Sequence, residues 1–238
     1  KITLLSVFFL SIYGYSQNIT IESGSTSSNI DLTNGNFTAT GASAVLGVEH
    51  IIAALANGPV TIATEKHSSE KDGNIFISEG LIFDQTKTNT LTINASNNIF
   101  INGSISTIED SGNFLKLKLT AGKTVLINDN IDLGNGELTV TGIKSVKNTA
   151  KLIAKNISFY SGDVNDSEIL HSGKIEGQSI HIKSNNSGTV HISGTTELIT
   201  DNATMTVAGG RVELDGAIID SDEYTGGFFG VYADEVSI

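Results

Sequence analysis

Three groups of acidic residues are the places in this sequence where side chains could do chemistry. Pairs of carboxylates act as general acid and base in glycoside hydrolysis, and carboxylate clusters bind calcium. The groups are Asp129 with Asp132, Asp163 with Asp166, and Asp220 with Asp222 and Glu223. All three lie in turn-like sequence, where aspartate is common because its side chain bonds the nearby backbone. We therefore expect these residues to form turns, and we predict no catalytic residue.

A carbohydrate lyase also needs a basic group beside its acidic residues. Arg211 is the only arginine, and it follows Gly209 and Gly210 without the aspartates and lysines that pectin-degrading enzymes gather. The calcium loop of the helical-hand type and the Gly-Gly-x-Gly-x-Asp repeat are both missing from the sequence. A carbohydrate-active enzyme is thus the weaker alternative, and we expect a protein that is not an enzyme.

The histidines give no metal site. His181 and His191 each lie between two apolar residues, so both imidazoles point outward if those neighbours face the core. The two histidines are ten residues apart, which is fewer residues than one predicted coil contains, so we expect them on different faces. The other three have no acid or histidine at ligand spacing: His50, His67 and His171. We predict no metal-binding or cofactor-binding residue.

The amino-acid composition predicts the secondary-structure elements that would position any functional site. The 238 residues carry a formal net charge of -12, so no basic face is available to neutralise nucleic-acid phosphates. There is no cysteine, which excludes disulfides and thiolate metal sites. Only 17% of residues are charged and 6% aromatic, while Gly, Thr, Ser, Asn and Ile are abundant, which suits many short strands between turns. We predict an all-β protein with no nucleic-acid partner.

Internal repeats are the most informative feature of the chain. Leu91 to Ile105 reads LTINASNNIFINGSI and aligns without a gap on Leu117 to Ile131, LKLTAGKTVLINDNI, with apolar residues at five matching positions. A third copy, Met205 to Ile218, matches with a one-residue deletion. Weaker copies lie at 151–159 and 179–193. The repeating unit is strand, turn, strand, turn.

A single repeat of this kind cannot bury its apolar side alone, so copies must stack. Stacked coils place identical positions about 4.8 Å apart, and residues 60–238 would then form roughly eight coils in a rod of about 40 Å. An antiparallel sandwich or a propeller would need hairpin turns or blade signatures that are missing. The fold prediction is therefore a parallel β-helix, or β-solenoid.

One position of the repeat carries Asn102, Asn128 and Asp215, just after the second strand. These residues suit a turn, because Asn and Asp tolerate a left-handed backbone and bond their own main chain. Alternatively, their side chains could form a partial ladder from coil to coil. The turn is the preferred interpretation, since the intervening repeats do not preserve the residue.

The amino-terminal 59 residues differ from the repeats. Residues 1–16 combine Lys1 with a short apolar run and small residues at Gly14 and Ser16, which predicts a signal peptide cleaved before Gln17. Residues 17–59 are a predicted β cap with one short helix, Val48 to Ala56. We expect that helix to end at Asn57-Gly58 in a left-handed cap, with Pro59 preventing continuation.

The repeats resemble the filamentous haemagglutinin family of secreted adhesins. The segments that carry the resemblance are Ile51 to Thr64, Gly73 to Leu81, Leu91 to Ile105, and Ala217 to Ile238 with its paired Gly226 and Gly227 and its Ala233 to Val236 strand. The resemblance implies a right-handed parallel β-helix exported through outer-membrane machinery. The Asn-Pro-Asn-Gly signature of the family's secretion domain is missing, because Asn34-Gly35 has no proline beside it. The export route therefore stays open.

The expected function is attachment. The resemblance implies an adhesin-like protein, secreted or at the cell surface, whose partner is a glycan or protein of a host or neighbouring cell. After signal removal we expect no insertion into the membrane. The chain ends at Ile238 inside a strand pattern, so we also expect the repeats to continue. The alternatives are a polysaccharide lyase or hydrolase, and a structural stalk for a binding domain beyond residue 238.

Overall fold

The computed structural model describes residues 17–64, 73–85, 87–109, 112–162, 164–198, 203–220 and 227–238. The predicted signal peptide lies outside the described residues. So do five residues that the sequence singles out: His67, Asp163, Asp222, Glu223 and Gly226. No helix in the described part of the chain is long and apolar enough to cross a membrane.

The described residues form a parallel β-solenoid of about 8 turns with one helix among them, which confirms the predicted fold class. The segment before the coils contains β1 (Asn18–Glu22), β2 (Ile30–Thr33), β3 (Asn36–Ala39), β4 (Ser43–Gly47) and α1 (Val48–Leu55). The first four coils contain β5 (Val60–Ala63), β6 (Ile75–Ile77) and β7 (Leu81–Gln85); β8 (Asn89–Ala95), β9 (Ile99–Ile101) and β10 (Ile105–Glu109); β11 (Leu115–Ala121), β12 (Thr124–Ile127) and β13 (Ile131–Asp132); and β14 (Glu137–Gly142), β15 (Ser145–Asn148) and β16 (Lys151–Ile153). The last four contain β17 (Asn156–Ser161), β18 (Glu168–His171) and β19 (Lys174–Gly177); β20 (Ser179–Lys183), β21 (Thr189–Ile192) and β22 (Thr195–Leu198); β23 (Thr204–Leu214) and β24 (Ile218–Asp220); and β25 (Phe228–Ser237).

The coils form three parallel sheets, which we call the first, second and third sheet. The first contains β3, β5, β8, β11, β14, β17, β20 and the amino-terminal halves of β23 and β25. The second contains β4, β1, β6, β9, β12, β15, β18, β21 and the other halves of β23 and β25. The third contains β7, β10, β13, β16, β19, β22 and β24.

The stacking follows the register that the repeats predict. Three residues of one coil stack on the matching residues of the preceding coil: Leu117 on Leu91, Val125 on Ile99, and Ile131 on Ile105. Each of these six side chains is at most 2% exposed. These columns of buried aliphatic side chains fill the interior between the three sheets. Because every coil supplies the same inward positions, the core is continuous along the rod.

The third predicted copy is wrong by one residue at its end. Met205 and Val212 take the expected inward positions, but the inward column that contains Ile105 continues to Ile219, while Ile218 is 58% exposed. The corner after the second sheet is one residue longer in this coil and turns through Gly216, whose φ is +64°. The added residue shifts the strand by one position, which exchanges its inward and outward faces.

The segment before Val60 adds strands to two of the sheets. The strand β1 lies between β4 and β6 in the second sheet, and β3 extends the first sheet beyond β5. The strand β2 folds back on β3 in antiparallel pairing through Asn34 and Gly35, with φ values of +50° and +74°. Two central residues with positive φ are the signature of a type I′ hairpin.

The predicted helix is confirmed, but its cap is not. Helix α1 ends at Leu55 with Ala56 as its cap, and neither Asn57 nor Gly58 has a positive φ. Instead of a left-handed cap, Asn57 Nδ2 donates to the Ala53 carbonyl at 2.9 Å. The side-chain amide satisfies a carbonyl at the end of the helix, which removes the need for a left-handed residue.

Amide ladders connect the coils. Asn128 Nδ2 donates to Asn102 Oδ1 at 2.8 Å, and neither residue has a positive φ, so at these two positions the ladder replaces the turn that we preferred. A longer ladder precedes the second sheet: Asn74 Nδ2 donates to Asn18 Oδ1 at 3.2 Å, and Asn98 Nδ2 donates to Asn74 Oδ1 at 3.0 Å. It continues where Asn98 Oδ1 accepts the main-chain N–H of Thr124.

We predict that Asn74→Ala lowers the free energy of unfolding by about 1–3 kcal/mol, because it leaves half-buried donors of Asn97 and Asn98 without their acceptor. Asn128→Ala is the matched control: it removes an exposed ladder bond and should cost at most about 0.5 kcal/mol. Urea unfolding followed by circular dichroism measures both. Equal losses of unfolding free energy in the two variants would show that the ladder before the second sheet stabilises the protein no more than the exposed Asn128–Asn102 bond does.

Candidate functional site

The described members of the acidic groups lie in corners or at the ends of strands. Asp129 Oδ1 accepts the main-chain N–H of Asn130 at 2.7 Å, and Asp132 Oδ1 accepts that of Gly134 at 3.1 Å. Asp166 has a φ of +62°. The expected turn role of these three residues is thus confirmed. Asp220 ends β24, and nowhere in the described ranges do three acidic, histidine or cysteine side chains converge as they would around a metal ion.

Arg211 is occupied by an ion pair on the outside of the second sheet. Its Nε lies 2.8 Å from Glu213 Oε1, and His191 Nδ1 lies 2.8 Å from the other carboxylate oxygen. The hydrogen bond from His191 lowers the pKa of Glu213, and the positive charge of Arg211 lowers it further. The carboxylate is therefore held ionised between two basic groups, which is the opposite of what a general acid needs.

The predicted positions of two histidines are confirmed. His181 lies on the outside of the first sheet and His191 on the outside of the second, while the apolar neighbours of both are buried. Their separate sheets explain why they share no site. His50 is partly exposed on α1, with its Nε2 at 2.9 Å from the Ser25 carbonyl.

His171 is the histidine whose place the sequence reasoning missed. Alternation from the inward Ile169 puts it inside the solenoid, where it is completely buried. Its Nδ1 lies 3.0 Å from Nδ2 of Asn148, the residue stacked on it from the preceding coil. Because that amide nitrogen can only donate, Nδ1 accepts and the ring proton is on Nε2. Nε2 has no hydrogen-bond partner of normal geometry.

The interior around His171 favours the neutral imidazole. Burial lowers its pKa to about 4, and the nearby main chain of Thr195 opposes this shift only in part. The residues stacked on either side of it, Asn148 and Ile192, are uncharged. In the folded protein the ring therefore resists protonation at a pH where the unfolded chain accepts a proton.

We predict that the free energy of unfolding falls as the pH is lowered from 6.5 towards 4. The unfolded chain binds a proton on His171 near pH 6.5 and the folded chain only near 4, so about 3 kcal/mol is lost across this window. Urea titrations at several pH values measure the slope. His171→Leu should remove most of the slope, whereas His50→Gln, a partly exposed control on α1, should retain it. A flat wild-type profile between these pH values would contradict a buried neutral His171.

The outside of the first sheet is a flat surface with three rows of side chains. Its middle row runs along the rod through small hydroxyl residues, one lysine and one histidine. In chain order its residues are Thr92, Lys118, Thr139, Ser158, His181 and Thr206. The rows exist because each strand places alternate residues outward and the strands stack in register.

Towards the last coil this surface forms a shallow groove, which we call the trough. Its floor is the outer side of β23, where all the side chains are small; one wall is β20, with polar and basic side chains, and the other is β25, with two aromatic rings. The floor is Thr204, Thr206 and Ala208, the polar wall is Ser179, His181 and Lys183, and the aromatic wall is Phe228 and Tyr232.

The polar wall of the trough carries one charged side chain, Lys183. Some lysines of other coils pair with glutamates, as Lys116 does with Glu137 at 3.0 Å and Lys174 with Glu197 at 2.8 Å. Lys183 is exposed and has no ion-pair partner in the described parts of the chain. Partial burial lowers the pKa of the adjacent His181, and the positive charge of Lys183 lowers it further. The polar wall therefore keeps a neutral imidazole beside the Lys183 side chain near pH 7.

His181 also connects the wall to the floor. Its Nδ1 hydrogen-bonds the hydroxyl of Thr206, and its ring lies 5.7 Å from that of Tyr160 at a tilt of 55°. These contacts fix the imidazole on the sheet. The trough is thus a preformed surface with a rigid polar side.

Comparison with known proteins gives no match: no family model, no curated protein and no solved structure resembles the chain. The resemblance to the filamentous haemagglutinin family stays a prediction. The function is therefore inferred from the geometry of the trough and the rows beside it.

Proposed function

We propose that the chain is an adhesin-like protein, secreted or at the cell surface, that attaches to a carbohydrate or protein through the outside of its first sheet. The observation that carries this proposal is the flat row-patterned surface ending in exposed aromatic rings. Phe228 is 51% exposed and Tyr232 is 60% exposed. Large exposed aromatic side chains of this kind mark interaction surfaces, since burying them on a ligand recovers apolar contact area.

The stacked coils support a multivalent mode of binding. Rows of Thr, Ser and Asn side chains repeat at the strand spacing of about 4.8 Å, so an extended ligand meets several equivalent contacts at once. The acidic residues in the corners give no support to the alternative of a catalytic site. Asp129 and Asp132 are engaged by their own main chain, which favours binding over the alternative of polysaccharide cleavage.

The proposal is tested with fluorescent beads coated with residues 17–238. We expect the beads to be retained on at least one surface among immobilised cellulose, chitin, mannan, collagen and fibronectin, at least tenfold above beads coated with albumin. A free monomer should be retained far less, because single contacts are weak.

The control coats beads with a variant of the third sheet, Lys151→Ala with Lys174→Ala, whose lysines contact Glu176 away from the first sheet. That variant should be retained as well as the wild type. No retention on any surface would contradict attachment and favour the stalk. Release of reducing ends from cellulose, chitin or mannan would contradict it in favour of an enzyme.

A further inference from the structure

The aromatic wall of the trough exists because of a glycine. Phe228 and Tyr232 both lean over Gly230, which lies between them on the outside of β25. A Cβ added to Gly230 would lie 2.8 Å from a ring atom of Phe228 and 3.2 Å from one of Tyr232. A side chain at this position would force the Phe228 ring to move, so the glycine allows both rings to lie over β25 in this arrangement and form one apolar platform.

Because the side chains of the floor are small, the aromatic rings rise above the floor and give the trough its depth. Thr206 and Ala208 stack directly on Gly230 and Tyr232, while the polar wall is one strand further along. The two walls are thus two strand spacings apart, about 10 Å, and the platform runs for about 13 Å along the strand. A groove of these dimensions holds a short chain of sugar rings lying along β23.

At one end the trough opens into a cleft of about 720 Å³ beside Tyr232. Its lining includes Lys183, Asn186 and Asp234, which supply a cation, an amide and a carboxylate. A platform of aromatic rings beside planar polar groups and hydroxyls can bind a sugar, since a sugar ring has an apolar C–H side and a rim of hydroxyl groups.

The charges of the cleft and of the whole chain indicate which class of sugar can bind. Lys183 and Asp234 balance each other across the cleft, so the site itself gives no net attraction for an anion. The chain as a whole carries -12, and this field repels acidic polysaccharides. An uncharged saccharide needs no net positive charge at the site, and the negative charge of the chain does not repel it.

We propose that the trough between β20 and β25 binds a neutral saccharide, with Phe228 and Tyr232 stacked on its apolar side and the floor and polar wall bonded to its hydroxyls. This inference rests on the proposed attachment function and names its ligand class. Thr206 is held by His181, so the two residues position one another as hydrogen-bonding groups for the ligand.

Isothermal titration calorimetry of residues 17–238 with cellotriose, chitotriose, maltotriose and mannotriose tests the proposal, with trigalacturonate as the acidic probe. We expect at least one neutral trimer to bind and the acidic probe to bind at least tenfold more weakly than that trimer. Tyr232→Ser should weaken binding of the neutral trimer at least tenfold, because the sugar loses its stacking partner. Gly230→Val should do the same by separating the rings.

Phe100→Ser is the matched control, since Phe100 is an aromatic residue on the outside of the second sheet, where it stacks on Phe76 and has no contact with the trough. It should change affinity by less than twofold. Circular dichroism melting curves check that all variants are folded. The proposal is overturned if no neutral trimer binds at millimolar concentration, if trigalacturonate binds best, or if Tyr232→Ser and Gly230→Val leave affinity unchanged.

Light scattering separates a saccharide from a second copy of the chain as the partner of the rings. We expect a monomer whose mass does not change in Tyr232→Ser. A wild-type dimer that this variant dissociates would overturn the proposal. The bead assay separates failure of the trough from failure of attachment: beads coated with Tyr232→Ser that are still retained would defeat the saccharide site and leave the proposed function intact.

Discussion

Parallel stacking in register is the interaction on which the rest of the structure depends. Each strand is short and amphipathic, and a single coil exposes its apolar side until the next coil covers it. Main-chain hydrogen bonds fix the distance between coils, and buried columns such as Leu91, Leu117 and Leu138 fix which residue lies above which. The corners adjust to this register: the ladder from Asn18 through Asn74 to Asn98 bonds side chains only because the strands beside it are aligned.

Much of this register could be predicted from sequence, because a strict alternation of apolar residues and a gapless repeat leave few ways to stack. Prediction failed where a corner changed length. Ile218 and Ile219 exchange faces through one additional residue, and Asn57 bonds the end of α1 through its side-chain amide without adopting a left-handed backbone. His171 could have been placed inside by alternation from Ile169, but nothing in a single sequence shows that a polar residue will be buried.

The trough could not be predicted at all, since its residues come from three coils and are far apart in sequence. Its components are ordinary outward positions of β20, β23 and β25 that gain meaning only when stacked. The regular surface provides the scaffold, and a few outward residues that differ from those of other coils give the trough its character: small side chains on the floor and Gly230 between two aromatic rings. A solenoid can thus acquire a binding site by changing a few outward residues without disturbing its core.

The most direct test of the stacked structure is a series of distances by pulsed electron paramagnetic resonance. The chain has no cysteine, so spin labels can be attached to introduced pairs on the middle row of the first sheet. With Thr92 labelled in each pair, partners at Ser158, His181 and Thr206 should lie about 14, 19 and 24 Å away between Cα atoms, a constant step of about 5 Å per coil. Distances that do not increase by equal steps along this series would contradict the in-register solenoid.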